Sequence, residues 1–201
     1  RVFVSIDALP SGYFEIETQV RPEVKGLVIR LNEKVKALLS GDQPTEEERM
    51  RVVFSTDVKL LFNQSPHDKL HFVSALQKQN HKVMMIGDGL NDSGALQQSD
   101  VGIAVTDDTG VFTPASDGIL AGKMLGKLDS FLRLAKKSTM ILKTGFVISF
   151  FYNAIALSVA MSGFLTPLIA AILMPISSVS VVGFSSLAVN WVARKEFKPN
   201  R

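Results

Sequence analysis

Val83-Met84-Met85-Ile86-Gly87-Asp88-Gly89-Leu90-Asn91-Asp92 is the stretch on which the reading of this chain turns. Four consecutive apolar residues read as a buried strand, and the Gly-Asp-Gly-Leu-Asn-Asp that follows gathers two carboxylates and an amide at its carboxyl end. The loop is not a dinucleotide-binding turn, because Asp92 stands where the third glycine belongs and would repel a pyrophosphate. Nor is it a calcium loop, since Leu90 and Ser99 fall where oxygen ligands are needed.

Outward from this loop, apolar runs alternate with helical patterns. Val2–Ile6 and Tyr13–Val20, separated by Pro10-Ser11-Gly12, read as a hairpin or two consecutive strands. Arg21-Pro22 opens a helix with Val24, Leu27, Val28 and Leu31 on one face, and Val35–Leu39 is a short strand. Thr45, with Glu48 three residues on, is expected to cap a helix running through Val52. A strand over Lys59–Phe62, a helix capped by Ser65-Pro66, a helix over Asp92–Gln98 and a strand over Val101–Val105 complete the pattern. Such alternation implies an α/β fold, a parallel sheet with helices on both faces, whose sites form where the strands end.

Residues Thr144 to Ala193 contain no Asp, Glu, Lys or Arg, a run of fifty where a membrane helix needs about 20. Breaks at Ser162-Gly163 and Thr166-Pro167 divide it into two spans. A buried helical hairpin of a soluble protein is the plainer alternative, but soluble helices seldom lack charge for so long. Residues 1–121 carry 12 Lys and Arg against 17 Asp and Glu, whereas residues 122–201 carry 10 against 2. The pI of 9.2 therefore does not signal nucleic acid. Lys136, Lys137 and Lys143 precede the apolar run and Arg194, Lys195 and Lys198 follow it, which places both ends of the hairpin in the cytoplasm. With no cysteine, disulfides and thiolate metal sites within these residues are excluded. Arg1 is not an initiator and no signal peptide precedes the first strand, so the chain reads as part of something longer.

Three loops after three strands offer complementary chemistry. Ser40-Gly41-Asp42 supplies a hydroxyl and backbone N–H groups suited to phosphate oxygens. Lys69 supplies a point charge to the same phosphate. Asp88 and Asp92 supply hard oxygen ligands for Mg²⁺, and Asn91 can donate to a transferring group. Together they describe a metal-assisted phosphoryl-transfer pocket. Singly, each has a plainer reading as a turn or a solvated helix residue. In the apolar tail, Tyr152-Asn153 and Met174-Pro175-Ile176-Ser177-Ser178 lie midway along their spans, where polar groups are costly unless paired. A thioether is a soft ligand suited to Cu(I), and no acidic or imidazole group is present there for a harder ion.

Ser40-Gly41-Asp42, Pro66-x-Asp68-Lys69, Gly87-Asp88-Gly89-Leu90-Asn91-Asp92, Ala95-Leu96 and Asp100-Val101-Gly102-Ile103-Ala104 together resemble the carboxyl-terminal half of the phosphorylation domain of a P-type ATPase. A domain with this hinge motif followed by only two spans is similar to the heavy-metal-transporting, copper-pump-like branch. Ser93-Gly94 replaces that branch's usual Ala-Pro and Ser40 its usual Thr, and neither change removes a ligand.

The resemblance implies a haloacid-dehalogenase-like, Rossmannoid, partial parallel sheet and a two-helix transmembrane hairpin. It divides the chain into residues 1–20 (tail of a preceding domain or linker strands), 21–135 (phosphorylation domain), 136–195 (hairpin) and 196–201 (cytoplasmic tail). It implies an aspartyl phosphate formed from ATP on a carboxylate upstream of Arg1. Mg²⁺ would be held by Asp88 and Asp92, phosphate by Ser40, Gly41, Asp42 and Lys69, with Lys69, Asp88, Asn91 and Asp92 catalytic. Around a transported Cu(I) it places Tyr152, Asn153, Met174 and Ser178. It further implies a bacterial inner-membrane location with residues 1–135 and the carboxyl terminus cytoplasmic. The expected partners are the bilayer, the upstream domains of the same pump and a copper chaperone, and no nucleic acid.

Asp7 follows a strand as the nucleophile of this fold does, but Ala8-Leu9-Pro10 lacks the Asp-Lys-Thr-Gly-Thr pattern. His67, His71 and His81 share no ligand spacing and are not expected to form a metal site. The residues present are therefore expected to be inactive alone. The alternatives are a membrane-tethered phosphatase of the same fold using Asp7, and a non-catalytic membrane adaptor.

Overall fold

The computed structural model describes residues 2–7, 9–14, 20–107, 116–163 and 166–198, leaving the side chains of Val2 and Pro167 aside. It divides into two compact units, Arg1–Gly126 and Lys127–Arg201.

The first unit opens on an antiparallel hairpin, β1 (Val2–Ile6) and β2 (Leu9–Phe14), with a register shift between Val4 and Ser5. The chain reverses at Asp7, whose φ is +48°, so Pro10-Ser11-Gly12 lies within β2 rather than between strands. The end of the expected second strand, residues 15–19, lies outside the described residues. Every described residue of β2 is exposed.

Helix α1 (Pro22–Leu31) presents Val24, Leu27 and Val28 inward, as their spacing requires. Strand β3 (Ala37–Leu39) pairs in parallel with β4 (Lys59–Leu61). Between them α2 (Glu47–Arg51) follows a 3₁₀ turn, Pro44–Glu46, and Thr45 does not cap it. Its N-cap position falls to Glu46, because Pro44, with φ already fixed, starts the turn one residue before Thr45. Val28, Met50, Phe54 and Val58 form a buried cluster against Val24, Leu38 and Leu60, which holds α1 and α2 to this pair of strands.

Helix α3 (Pro66–Lys78) begins with a complete capping box. Ser65 Oγ accepts from Asp68 N (3.2 Å) and Ser65 N donates to Asp68 Oδ2 (3.0 Å), which satisfies two of the helix's unpaired donors. Strand β5 (Met84–Gly87) pairs in parallel with β6 (Val101–Thr106), and β6 with β7 (Gly118–Ala121), a strand the sequence pattern had not suggested. Between β5 and β6 lies α4 (Ser93–Gln98), whose Ala95 and Leu96 are buried with Val73 of α3 and Ala104 of β6. The parallel strands thus fall into two hydrogen-bonded sheets, β3–β4 and β5–β6–β7, instead of the single sheet expected.

The second unit is a hairpin of two long helices, α5 (Leu128–Met161) and α6 (Pro167–Glu196). Thr166 caps α6 by accepting from Ile169 N (3.3 Å). Phe146, Phe150, Phe151, Ile155, Leu168, Met174, Val179 and Leu187 are all exposed. In the most apolar windows 6% of α5 and none of α6 is buried, so these are not the core helices of a soluble fold. Both are long and apolar enough to cross a membrane.

Candidate functional site

The Gly87–Asp92 loop sits at the carboxyl end of β5, where an open α/β sheet places its chemistry. Gly89 adopts φ +85°, a conformation that side chains rarely take, and it lets the chain turn back sharply. Asp88 is exposed, and its Oδ1 accepts from Leu90 N (3.0 Å) and Asn91 N (3.1 Å), so the carboxylate folds the loop around itself. Asn91 Nδ2 approaches the other oxygen at 3.4 Å.

Asp92 behaves differently. It occupies the N-cap position of α4 but makes no cap hydrogen bond there. Its Oδ2 accepts from Asp88 N (3.3 Å) and its Oδ1 from the Lys69 ammonium (2.7 Å), with 12% and 11% of the Lys69 and Asp92 side chains exposed. A Cβ on Gly87 would come within 2.6 Å of Asp92 Cβ and 2.8 Å of its Cγ, so only glycine leaves room for this carboxylate. Lys69 in turn is placed by the capping box, since its N–H donates to Ser65 O (3.1 Å) one turn into α3.

Ser40-Gly41-Asp42 joins this arrangement through the start of α3. Ser40 O accepts from Gln64 N (2.8 Å) and Asp42 O from Asn63 N (2.9 Å), which fastens the loop to the residues just before Ser65. The Ser40 hydroxyl donates to Asp42 Oδ2 (2.9 Å) and accepts from Asp42 N (3.1 Å). Beneath the site, Asp100 accepts from Lys82 Nζ (2.8 Å), Val83 N (2.9 Å) and Gln77 Nε2 (3.2 Å), tying the end of α3 to the entry of β5. Those donors, Lys82 first, hold the Asp100 carboxyl well below the usual range. The Ser65 hydroxyl and N–H do the same for Asp68. Asp100 opens one of the motifs that carry the resemblance, but its role as the anchor for Lys82, Val83 N and Gln77 was not read from it, and Gln64 was not picked out at all.

The donor set suits Mg²⁺. Asp88 offers an exposed carboxylate of hard oxygens, and Mg²⁺ needs only one or two such groups beside water and phosphate. Asp92 is paired with the Lys69 ammonium at 2.7 Å and holds it in place. Among the described residues no cluster of three or more His, Asp and Glu exists to bind a different ion. His67 and His71 merely touch ring to ring on the exposed side of α3. Asp7 lies on the separate, exposed β1–β2 hairpin, away from the sheet that bears the loop.

In the hairpin, Tyr152, Asn153, Met174 and Ser178 line one groove of about 600 Å³ between α5 and α6, together with Ser149 and Ser177. The Tyr152 hydroxyl donates across it to Leu173 O (2.9 Å). Ser178 Oγ points back to Met174 O (3.5 Å), and Pro175, inside α6, leaves its i−4 carbonyl without the usual donor.

Comparison with known proteins agrees with this layout. The haloacid dehalogenase-like hydrolase family matches residues 2–100. Over 186 residues the chain is 33% identical to a copper-exporting P-type ATPase of Mycobacterium leprae, covering 92% of this chain and 24% of that protein. It is 29% identical over 192 residues to a probable copper-importing P-type ATPase A of Enterococcus hirae, covering 94% and 26%. The chain thus spans about a quarter of the length of the curated relatives it matches. Among solved structures, a catalytic CPx-ATPase domain aligns at 32% identity and TM-score 0.51 over 63% of this chain and 51% of that one. A zinc-transporting PIB-type ATPase in the E2.Pi state aligns at TM-score 0.65 over 90% of this chain and 28% of its own, and at 22% identity shows the shared fold.

Proposed function

This chain belongs to the P-type ATPases, and from that premise we propose that it forms the end of the phosphorylation domain and a membrane hairpin of an ATP-driven heavy-metal pump, with Cu(I) as the ion moved. The observation that carries the reading is the Lys69–Asp92 pair set behind the exposed Asp88 carboxylate. An ammonium held rigidly at a loop edge, beside an exposed carboxylate, is the equipment of a phosphoryl-transfer site rather than of a purely structural turn.

In the proposed cycle the γ-phosphoryl group of ATP passes to a carboxylate outside these residues, since no Asp-Lys-Thr-Gly-Thr occurs among them. Lys69 supplies positive charge to the phosphoryl oxygens, and Asp92 keeps its ammonium aimed instead of solvated. Asn91 and the Gly41 N–H donate to the same group, and the Ser40 hydroxyl joins them by giving up its bond to Asp42. Asp88 is the residue that would hold Mg²⁺, which supplies charge neutralisation on the phosphate. Asp88 and Asn91 exchange their present bonds with the loop for bonds to substrate, and that rearrangement is the event to be passed to the helices.

The identity of the ion rests on the groove. Met174 offers a soft thioether, Tyr152, Asn153 and Ser178 offer neutral oxygens, and no carboxylate or imidazole lines it. Relatives named as exporter and as importer both align, so the direction of transport is left open. A bacterial inner membrane and delivery by a copper chaperone follow from the same reading.

The test is to reconstitute the intact protein that contains this chain in vesicles and measure ATP hydrolysis against Cu(I) and Zn(II). We expect Cu(I) to stimulate turnover, Met174→Ala to remove that stimulation, and Asp88→Ala to abolish turnover altogether. Stimulation by Zn(II) alone would overturn the copper assignment, and indifference to every metal would overturn the pump.

A further inference from the structure

Residues 122–201 contain only two acidic side chains, Asp129 and Glu196, and both are consumed in one clasp. Glu196 Oε2 accepts from Arg133 Nε (2.8 Å) and its Oε1 from Lys137 Nζ (2.6 Å), while Arg133 Nη1 also donates to Asp129 (2.8 Å) and Nη2 to Ser130 Oγ (2.9 Å). The two carboxylate side chains are 10% and 6% exposed, so their charge is spent inside the hairpin. The clasp joins the first turns of α5 to the last turn of α6 and sets those ends at one level.

What remains outside the clasp is cationic. Lys136, Lys143, Arg194, Lys195 and Lys198 are all exposed, and among the described residues none has a carboxylate partner. Lys136 and Lys143 are seven residues apart, two helical turns, and so share one face of α5 about 10 Å apart. Directly above them begins the exposed apolar surface of Phe146, Val147 and Phe150. On α6 the Lys195 ammonium lies 5.6 Å from the centre of the Trp191 ring, a residue type that favours the headgroup layer. A collar of unneutralised cations over about 10 Å, bordered by apolar surface on one side, matches the depth of a headgroup layer and not a contact with a soluble anion.

We propose that this collar binds the anionic phospholipids of the cytoplasmic leaflet, and that the Glu196 clasp sets its strength by withholding Arg133 and Lys137. This rests on the membrane-spanning hairpin and not on the identity of any transported ion.

The experiment reconstitutes the 201-residue chain in phosphatidylcholine vesicles and measures the motionally restricted fraction of spin-labelled phosphatidylglycerol against spin-labelled phosphatidylcholine. We expect a preference of several-fold for phosphatidylglycerol that shrinks as salt is raised from about 0.05 to 0.5 M. Replacing Lys136, Lys143, Arg194 and Lys195 together by Gln should remove it. Glu196→Gln, by releasing Lys137 and leaving Arg133 only its bonds to Asp129 and Ser130, should increase it. Equal restriction of both lipids by the unmodified chain at low salt would overturn the proposal outright, whatever the variants do. So would a preference that survives the fourfold substitution in a protein of unchanged helix content.

Discussion

The Lys69 ammonium lies 2.7 Å from Asp92 Oδ1, across 23 positions of sequence, and little of either side chain reaches solvent. The contact binds α3 to the loop after β5 and fixes the charge that the site presents. Removing one partner strands the other in a poorly hydrated place. We expect Asp92→Ala to cost about 2–3 kcal/mol, against about 1 kcal/mol or less for the exposed Asp88→Ala. Hydrogen exchange of the α3 and α4 amides would measure both, and equal costs would show that the pair is not what holds the loop.

Gly87→Ala should do similar damage by a different route. Its new methyl group would press on Asp92 Cβ and Cγ, atoms that cannot swing away as a long side chain's tip can. A loss of about 1–3 kcal/mol is expected. In a double-mutant cycle with Asp92→Gly most of that loss should vanish, because the atoms in the way are gone. Additive effects would mean that the strain lies in the backbone.

Acid should loosen the junction of α3 and β5. The carboxyl of Asp100 is depressed in the folded chain by Lys82, Val83 N–H and Gln77. A group of this kind stabilises the fold fully above its unfolded pKa of about 3.9, and the contribution is lost as pH falls below that value. Lys82 is raised by the same contact, so its smaller share fades only at the alkaline end, as pH rises past about 10. Amide exchange at β5 compared at pH 6 and pH 3 should show the acid loss in the native chain and little of it in Asp100→Asn.

Tyr152→Phe removes a single interhelical bond, from the hydroxyl to Leu173 O. Such bonds in membranes contribute roughly 0.6 kcal/mol, so the hairpin should stay assembled. If the hydroxyl also serves the ion, Cu(I)-dependent turnover of the intact protein will fall by far more than tenfold, the most that so small a structural loss would predict. A change of less than that would assign Tyr152 to helix packing alone.

The 201 residues by themselves should not hydrolyse ATP, for they include no Asp-Lys-Thr-Gly-Thr, and Asp7 lies on a sheet apart from the loop. Mg²⁺-dependent turnover by the purified chain that disappeared in Asp88→Ala would refute this.

Much was legible without coordinates because its causes are local. The cap at Ser65-Pro66 depends on adjacent residues and appeared as expected, with Asp68 completing it as a capping box. The apolar run became the strand β5, though with Met84 and Ile86 exposed instead of buried, and the fifty uncharged residues became the two helices of the hairpin, both being properties of composition over a short window. Thr45 failed as a cap although its spacing to Glu48 was right, since Pro44 commits the backbone to a turn one residue earlier.

What the linear order could not contain is who meets whom across long separations. Composition alone made Asp92 a metal ligand equal to Asp88, because both are carboxylates on one loop. The folded chain brings Lys69 to Asp92 and leaves Asp88 in solvent. In the same way the sequence counted two acids among ten bases; Asp129 meets Arg133 one turn along α5, but only the pairing of α5 with α6 brought Glu196 to Arg133 and Lys137. Charge type and hydropathy are written residue by residue, whereas the strength of a charge depends on which neighbour and how much water the fold gives it.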